Sequence, residues 1–456
     1  MPAWARGAQA RWVLGLALVA LVLGTGLVVA RAMRLRTVVH QLRGALAKVK
    51  ALVPQPVRSR RLQRPWRLPR RAALPAAPHG GGFVPPLRLL DAVLPVRAAR
   101  PPPVGRGVVL PMHYSDRDAG FVVRLRLGND NVLVVVDSGS FYLGVATRQC
   151  ARAQLCSARD AGYDPTETAT FLNRTAELHY ASLRIQSDLV RDTLVLRVLD
   201  AQALGRACDG ARGVPALEAD DRFEEAVVPA ITVHAASAME GTHSNVVGLM
   251  DPRAHTSKEP CFLGEVLSAL RLPRRYAVAC GANGRGLLVL GAPPARCALE
   301  NPESRAVPLS RDFKYMGAAV VDVDAVRLLD PATGAVLTTL PKAAVRHAVV
   351  DTGTSDSYWP PTASEALLAA GFPASDQRTS AARCLVVELV LRGNLVLRYE
   401  PARYLRDGVS TFRLDDPSVN GLFDGRPVLL LGIAQMMGLA WDFDLERRVC
   451  VVSPYE

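Results

Sequence analysis

The chain has 456 residues, 49% of them apolar, so it is long enough to bury a large core and its composition excludes a disordered protein. The net charge is +13, but residues 1–110 hold nineteen Lys or Arg and one acid, Asp91, which leaves a net charge of −5 for residues 111–456. The positive charge therefore does not lie on the globular part. Because the basic stretch also lacks a binding motif, we predict no nucleic-acid partner.

The first predicted element is a membrane-spanning helix. Residues 1–11 form a basic tail, and residues 12–30 are an uninterrupted apolar run, long enough to cross the hydrocarbon core of a bilayer. We interpret this run as a single-pass anchor that binds the chain to a membrane; a cleaved signal peptide is the alternative, because Ala30-Arg31-Ala32 has the form of a cleavage site. Positive charge after the run favours a cytoplasmic location for the C-terminal side of the anchor. Cysteines and a glycosylation motif favour a lumenal or extracellular one, which we expect.

Residues 31–110 are rich in Arg, Pro and Ala, a composition that cannot build a hydrophobic core. A solvated linker is the simplest interpretation of this segment. Its charge of +18, opposite in sign to the rest of the chain, also fits a basic pro-segment that pairs with the acidic lobes and is released at low pH.

From residue 111 onward the sequence predicts a mostly β protein. Short runs rich in Val and Leu recur between Gly, Pro, Asp and Asn, which is typical of strands separated by turns. The predicted strands are Phe121–Leu127, Val132–Val136, Val345–Val350, Leu385–Leu391, Leu395–Tyr399 and Val428–Leu431. Only a few segments are predicted to be helical, notably Cys261–Leu270 and Thr362–Ala370.

Two copies of one short pattern are the most informative feature of the chain. Val134–Ser140 and Ala348–Ser355 each consist of an apolar run, an Asp, a hydroxyl residue, a Gly and another hydroxyl residue. A single Asp-x-Gly is usually a turn, but two such copies in one chain rarely arise by chance. Two carboxylates that are brought together can share one proton, which makes an acid and a base from the same type of side chain.

Residues 115–456 resemble the pepsin-like aspartic proteases. Asp351-Thr352-Gly353-Thr354-Ser355 matches the family's C-terminal signature completely, whereas Ser138 replaces the more usual Thr in the first copy. The resemblance implies a bilobal fold in which two related β-lobes, residues 111–303 and 304–456, enclose a central cleft. It implies an endopeptidase in which Asp137 and Asp351 together activate a water, acting on a protein or peptide substrate with an acid pH optimum.

The resemblance also implies supporting roles around the acids. Backbone N–H groups would bind the carboxylates, two hydroxyls would brace the loops against each other, and two more would bind the outer carboxylate oxygens. The backbone N–H groups are those of Gly139 and Gly353, and the bracing hydroxyls are those of Ser138 and Thr352. The hydroxyls at the outer carboxylate oxygens are those of Ser140 and Thr354. Gly248 and Gly432, each after two apolar residues, would let the backbone pack closely beneath the acid loops.

A flap over the cleft is implied at Tyr180, Ala181 and Ser182. The family usually pairs its flap tyrosine with a Trp shortly after the first acid motif, but Phe141–Val145 contains no Trp. This departure leaves a second function open, namely a weakly active or inactive binding protein on the same fold. A structural membrane protein in which both motifs are turns is a third interpretation.

Eight cysteines suggest disulfides in an exported chain, and Cys150 with Cys156 is the pair we predict. The sequence leaves the pairing of the other six open: Cys208, Cys261, Cys280, Cys297, Cys384 and Cys450. No spacing of Cys and His indicates a zinc site, and we expect neither a metal nor a cofactor. Asn173-Arg174-Thr175 is a sequon for N-glycosylation. We expect a monomeric catalytic unit.

Overall fold

A computed structural model describes residues 107–156, 162–180, 183–199, 223–241, 245–254, 260–291, 304–312, 317–375, 377–381, 384–414, 423 and 426–455. The predicted anchor over residues 12–30 and nearly all of the basic segment lie outside these ranges. Within them, no helix combines the length and the apolar character that crossing a membrane requires.

The described chain is mostly β, as predicted, and short helices connect a few of the strands. The strands are β1 Val108–Ser115, β2 Gly120–Leu127, β3 Asp130–Asp137, β4 Leu143–Ala146, β5 Thr170–His179, β6 Leu183–Leu199, β7 Phe223–Gly241, β8 Val246–Gly248, β9 Arg275–Cys280, β10 Arg285–Leu290, β11 Arg305–Pro308, β12 Ala319–Leu329, β13 Val336–Leu340, β14 His347–Val350, β15 Ser357–Trp359, β16 Val386–Leu391, β17 Leu395–Tyr399, β18 Leu405–Arg406, β19 Val409–Ser410, β20 Phe412–Leu414, β21 Val428–Leu431, β22 Leu439–Asp444 and β23 Val449–Pro454. The α-helices are α1 Arg148–Arg152, α2 Phe262–Ala269, α3 Pro361–Ala369, α4 Pro401–Tyr404 and α5 Ile433–Met436.

Two large sheets contain most of these strands. The first has thirteen strands in the order β11-β23-β22-β9-β10-β1-β2-β3-β8-β4-β7-β6-β5, and the second has eight, including β17-β16-β12-β14-β21-β15-β20. The closing hairpin of the chain, β22 and β23, belongs to the first sheet because β22 pairs antiparallel with β9. The sheets therefore do not divide at a single point in the sequence.

Each sheet contains the same four-strand arrangement around one acid motif. In the first, β3 is parallel to β8, β8 is antiparallel to β4, and β4 is parallel to β7. In the second, β14 is parallel to β21, β21 is antiparallel to β15, and β15 is parallel to β20. The duplicated sequence pattern thus corresponds to a duplicated topology, and the two halves are related β-lobes.

The strands that end at the acids are buried on both faces, which explains their continuous apolar sequences. Val134, Val136 and Val350 are fully buried, as are their neighbours on the parallel partner strands. One large apolar cluster extends through both sheets and includes Phe121, Trp359 and Trp441. This packing fixes the ends of β3 and β14, and hence the loops that come after them.

The predicted disulfide between Cys150 and Cys156 is confirmed. It joins α1 to the segment just after that helix, and Cys156 packs against a small cluster that also contains Tyr180. Four other cysteines, Cys261, Cys280, Cys384 and Cys450, are buried free thiols in the described part of the chain. Cys208 and Cys297 lie outside the described residues.

Candidate active site

The two acids occupy equivalent positions at the ends of the duplicated strands. Asp137 is the last residue of β3 and lies opposite Gly248 of β8 in the parallel pair. Asp351 directly follows β14, and its backbone N–H donates to the carbonyl of Leu431 at the end of β21, at 3.0 Å. Because both carboxyls follow buried strands, each leaves the core at the edge where its lobe meets the other.

The two acid loops are joined by a symmetric set of hydrogen bonds between Ser138 and Thr352. The N–H of Ser138 donates to Oγ1 of Thr352 at 2.9 Å, and the N–H of Thr352 donates to Oγ of Ser138 at 3.0 Å. Each hydroxyl then donates across to the opposite chain segment, Ser138 to the Val350 carbonyl at 2.9 Å and Thr352 to the Val136 carbonyl at 2.7 Å. Both side chains are fully buried. This cross-brace holds the loops in one fixed relation.

Replacing Ser138 by Ala should lower the free energy of unfolding by about 2 kcal/mol, because the buried N–H of Thr352 loses its acceptor. Ser237→Ala is a matched control: its hydroxyl donates to the Gln186 carbonyl at 3.2 Å but is exposed. Urea denaturation of both variants measures the difference. Equal stability of the two variants would mean that the cross-brace does not hold the loops.

The acid loops bring the two carboxyls against each other's glycine. A Cβ built on Gly139 would lie 2.8 Å from Oδ1 of Asp351 and 3.1 Å from Oδ1 of Asp137. A Cβ built on Gly353 would lie 2.4 Å from the carboxyl carbon of Asp137. Any larger residue at either position would therefore collide with the acid of the opposite lobe. The two carboxyls are neighbours across the junction between the lobes.

The hydrogen bonds to the two carboxylates are unequal. Asp351 accepts from the Gly353 N–H at 3.0 Å and from the Thr354 hydroxyl at 2.5 Å. Asp137 accepts from the Gly139 N–H at 2.7 Å. The Ser140 hydroxyl occupies the place of Thr354 in the first loop and lies buried beside Asp137, where it lowers the pKa of that carboxyl without reaching the close, well-aligned geometry of the Thr354 bond. The environment therefore stabilises negative charge on Asp351 better than on Asp137.

The electrostatics of Asp137 agree with this asymmetry. Burial raises the pKa of Asp137 well above its ordinary value, and the charge of Asp351 and the contact between the two carboxyls raise it further. The Ser140 hydroxyl and the Gly139 N–H act in the opposite direction and lower the pKa of Asp137, without outweighing these effects. Two like charges this close resist simultaneous ionisation.

Gly248 and Gly432 lie directly beneath the two acid loops. A Cβ on Gly248 would be 2.5 Å from the carbonyl oxygen of Ser140, and one on Gly432 would be 2.2 Å from the carbonyl oxygen of Asp356. These are contacts with backbone, which cannot move aside as a side chain can. Only glycine lets the second strand of each four-strand arrangement pass this close beneath the loop.

Tyr180 lies at the tip of the hairpin formed by β5 and β6. Its N–H donates to the Leu183 carbonyl at 2.7 Å, and its ring packs in a small cluster with Tyr142, Ile185 and Met239. The phenol is close to Asp137, and burial together with that charge raises the pKa of Tyr180 far above its ordinary value. The tyrosine of this hairpin thus lies near the first acid. Ala181 and Ser182 lie outside the described residues.

Ile185 lies next to the segment where the family's Trp is missing. A Cβ on Gly144 would be 2.9 Å from Cδ1 of Ile185, which extends from β6. Tyr142 packs beside it, with its ring centroid 4.6 Å from that of His234. Ile185 of the flap hairpin and Tyr142 of the acid loop thus pack in the region where the family resemblance leads one to expect a Trp side chain.

Two buried amide side chains that the sequence analysis missed support the acid loops. Oε1 of Gln435 accepts from the Ser357 hydroxyl at 2.5 Å, and its Nε2 donates to Thr411 at 2.8 Å. In the first lobe, Nδ2 of Asn245 donates to the Leu133 carbonyl at 2.9 Å, and its Oδ1 accepts from the Ala146 N–H at 2.8 Å. Gln435 follows Gly432 by three residues and Asn245 precedes Gly248 by three. This spacing is the feature of the sequence that could have indicated their supporting role.

Asn173 lies on strand β5 of the flap hairpin, away from the acid loops in the sequence, and its side chain is exposed.

No group of three or more His, Cys, Asp or Glu side chains within the described ranges has an arrangement that could hold a metal ion. The residues that the structure brings together around the acids are therefore hydroxyls, glycines and backbone amides.

Comparison with known families agrees with this architecture. The family model described as eukaryotic aspartyl protease matches residues 121–209, a segment that begins in β2 and includes Asp137 and Tyr180. A search of curated proteins finds no match. The predicted fold class is confirmed: the chain has the mostly β, bilobal fold of the pepsin-like aspartic proteases. The family match supports a peptidase type of hydrolase that acts on peptide substrates.

Proposed function

We propose that the protein is an aspartic endopeptidase that hydrolyses peptide bonds by means of a water activated between Asp137 and Asp351. The observation that carries this proposal is the symmetric hydrogen bonding of Ser138 with Thr352, since it holds the two acid loops together. Two unrelated turns would not be expected to meet at the junction of two lobes, or to place their carboxyls in contact there.

The unequal environments of the acids support a division of roles. Asp351, which accepts two hydrogen bonds, carries the negative charge and acts as the base. Asp137, whose pKa is raised chiefly by burial, holds the shared proton and acts as the acid. In this assignment the proton sits on the more buried group, where a charge would be most costly.

In the proposed reaction, the carboxylate of Asp351 takes a proton from the water while the water oxygen attacks the scissile carbonyl carbon. Asp137 gives its proton to the carbonyl oxygen, so that no free oxyanion forms. The tetrahedral intermediate then breaks its C–N bond, the proton on Asp351 passes to the leaving nitrogen, and Asp137 recovers its proton from the hydroxyl that becomes the new carboxyl group. The dyad ends with one proton, as it began, and no covalent enzyme intermediate forms.

Tyr180 would act as the lid of this site. The buried phenol near Asp137 and the packing of its ring against the flap strand support a role in excluding water when substrate is bound. The family resemblance assigns contact with substrate to Ala181 and Ser182 as well.

A second candidate function is a binding protein that retains the fold with little activity. The observation that favours it is the altered flap region, in which Ile185 packs against Gly144 where the resemblance leads one to expect the indole that pairs with the flap tyrosine. Such a flap could open slowly and so limit turnover. The complete dyad loops argue against this alternative.

Incubation of the purified full chain with a peptide library between pH 3 and pH 7, with and without pepstatin, tests the proposal. We expect cleavage that is strongest at the acid end and is blocked by pepstatin, with fragments identified by mass spectrometry. Binding of pepstatin without cleavage at any pH would favour the binding protein. Absence of both would refute the proposal.

We further propose that residues 12–30 anchor the protein in a membrane with its β-lobes on the lumenal or extracellular side, and that the basic segment is an inhibitory pro-segment. The apolar run and the charge difference between +18 and −5 support these proposals. A new N-terminus between Arg71 and Met112 after acid incubation is expected. A chain that stays intact at every pH would refute the pro-segment, and release by carbonate extraction would refute the anchor.

A further inference from the structure

The sequon Asn173-Arg174-Thr175 lies in an irregular part of an edge strand. Strand β5 is the last of the thirteen-stranded sheet and, within the described residues, pairs with β6 alone. The pairing runs from Phe171 with Val190 directly to Thr175 with Asp188, so that three residues of β5 bulge opposite the single residue Leu189. Bulges at sheet edges redirect side chains away from the sheet.

The backbone of this bulge turns the acceptor asparagine outward. Asn173 has a φ of 49°, in the left-handed region that Asn adopts more readily than most other residues. Asn173, Arg174 and Thr175 are all exposed. A glycosylating enzyme must reach the asparagine amide and the threonine hydroxyl together, and nothing in the described part of the sheet covers either. Asn173-Arg174-Thr175 is also the only Asn-x-Ser/Thr triplet in the sequence.

A second observation at this site is an exposed aromatic ring that the fold leaves unexplained. Phe171 is 57% exposed, the highest value for a large apolar side chain in the described ranges. It is the last residue of β5 paired before the bulge and precedes Asn173 by two positions, so the exposed ring and the sequon are neighbours on one edge strand. The apolar face of a sugar ring is well suited to pack on such an aromatic surface, which would remove apolar area from water.

We propose that Asn173 carries an N-linked glycan whose first N-acetylglucosamine packs on the ring of Phe171. The bulge, the exposure of the sequon and the exposed phenylalanine beside it are then parts of one modification site. Because this modification occurs only in the secretory pathway, the glycan also fixes the side of the membrane on which the β-lobes lie. The proposal does not depend on the proposed protease activity.

Expression of the full chain in eukaryotic cells, followed by treatment with peptide N-glycosidase F, tests the modification. We expect the parent chain and Thr175→Ser, which preserves the sequon, to lose the mass of one glycan on treatment. Asn173→Gln and Thr175→Ala should show no change. A parent chain whose mass is unchanged by the enzyme would overturn the proposal.

The role of Phe171 is tested by thermal unfolding before and after removal of the glycan. We expect removal to lower the Tm of the parent by about 2 °C, and to lower that of Phe171→Ser by less than half as much. Asn173→Gln, carried through the same treatment, controls for effects of the enzyme. Equal losses of Tm in the parent and in Phe171→Ser would overturn the packing of the sugar on the ring.

Discussion

Asp351→Asn is expected to lower kcat/KM for peptide hydrolysis by about 10³- to 10⁴-fold, because the amide cannot take a proton from the attacking water. Asp137→Asn should cause a loss of similar size, since it removes the proton that the carbonyl oxygen requires. The two losses should not add in the double variant, because either acid alone cannot complete the reaction.

These variants should keep the fold. An asparagine at position 351 can accept from the Gly353 N–H with its Oδ1 and donate from its Nδ2 to the Thr354 hydroxyl, and it removes one of two like charges that lie close together. Asp324→Asn is the matched control, because Asp324 is partly exposed and pairs with Lys342 at 3.3 Å on the surface. Hydrolysis is measured for all variants, and circular dichroism checks that each of them is folded. Parent-like hydrolysis by Asp351→Asn would remove the dyad from the mechanism.

The second large effect concerns acid stability and a histidine that the sequence analysis did not consider. His234 on β7 is fully buried, beside the Tyr142 ring and with its Nδ1 3.2 Å from the Ser187 hydroxyl. Burial, helped by the positive charge of Arg174, lowers the pKa of His234 to about 4. The folded protein therefore binds fewer protons here than the unfolded chain, in which a histidine titrates near its ordinary pKa of about 6.5.

Stability should accordingly fall as the pH drops. Neutral His234 contributes fully to the free energy of unfolding above about pH 6.5. This contribution decreases at lower pH until His234 of the folded protein is itself protonated near pH 4. The loss amounts to about 3 kcal/mol between pH 7 and pH 4. Asp137 acts in the opposite direction, since its raised pKa lets the folded state hold a proton that the unfolded chain releases. The balance between these two opposing effects contributes to how far the pH can fall before the folded state is lost.

His234→Asn isolates this effect, since an asparagine can keep the contact with Ser187 but does not titrate. Urea unfolding at pH 7 and pH 4 should show that the variant loses about 3 kcal/mol less than the parent over this interval. His179→Asn serves as the control, because the side chain of His179 is 67% exposed. If the parent and His234→Asn lost the same stability between the two pH values, a buried neutral histidine would not be the cause.

Much of the fold could be predicted because it depends on local patterns. The strands that end at the acids are continuous runs of Val and Leu, and helices α2 and α3 were predicted to within one or two residues. The duplicated motif indicated two related halves, because the same short sequence makes the same turn after the same kind of strand. The pairing of Cys150 with Cys156 was predictable from their small separation in the chain.

What could not be predicted depends on contacts between distant residues. Gln435 joins Ser357 to Thr411 only after β21 and β15 have paired, and Ile185 reaches Gly144 only when the flap hairpin lies against the acid loop. The same holds for β22 and β23, which lie late in the sequence but pair in the first sheet. Two similar motifs also do not reveal that Thr354 donates a close hydrogen bond to its acid while Ser140 lies beside its acid with poorer geometry.

The most direct test of the shared proton is a ¹³C NMR titration of the aspartate carboxyls in the parent and in Asp351→Asn. It requires no knowledge of the substrate. The pKa of Asp137 should lie well above the ordinary value in the parent and should fall in the variant, because the neighbouring charge of Asp351 has been removed. A carboxyl of Asp137 that titrates at the ordinary value, or that does not respond to the loss of Asp351, would contradict the existence of the dyad.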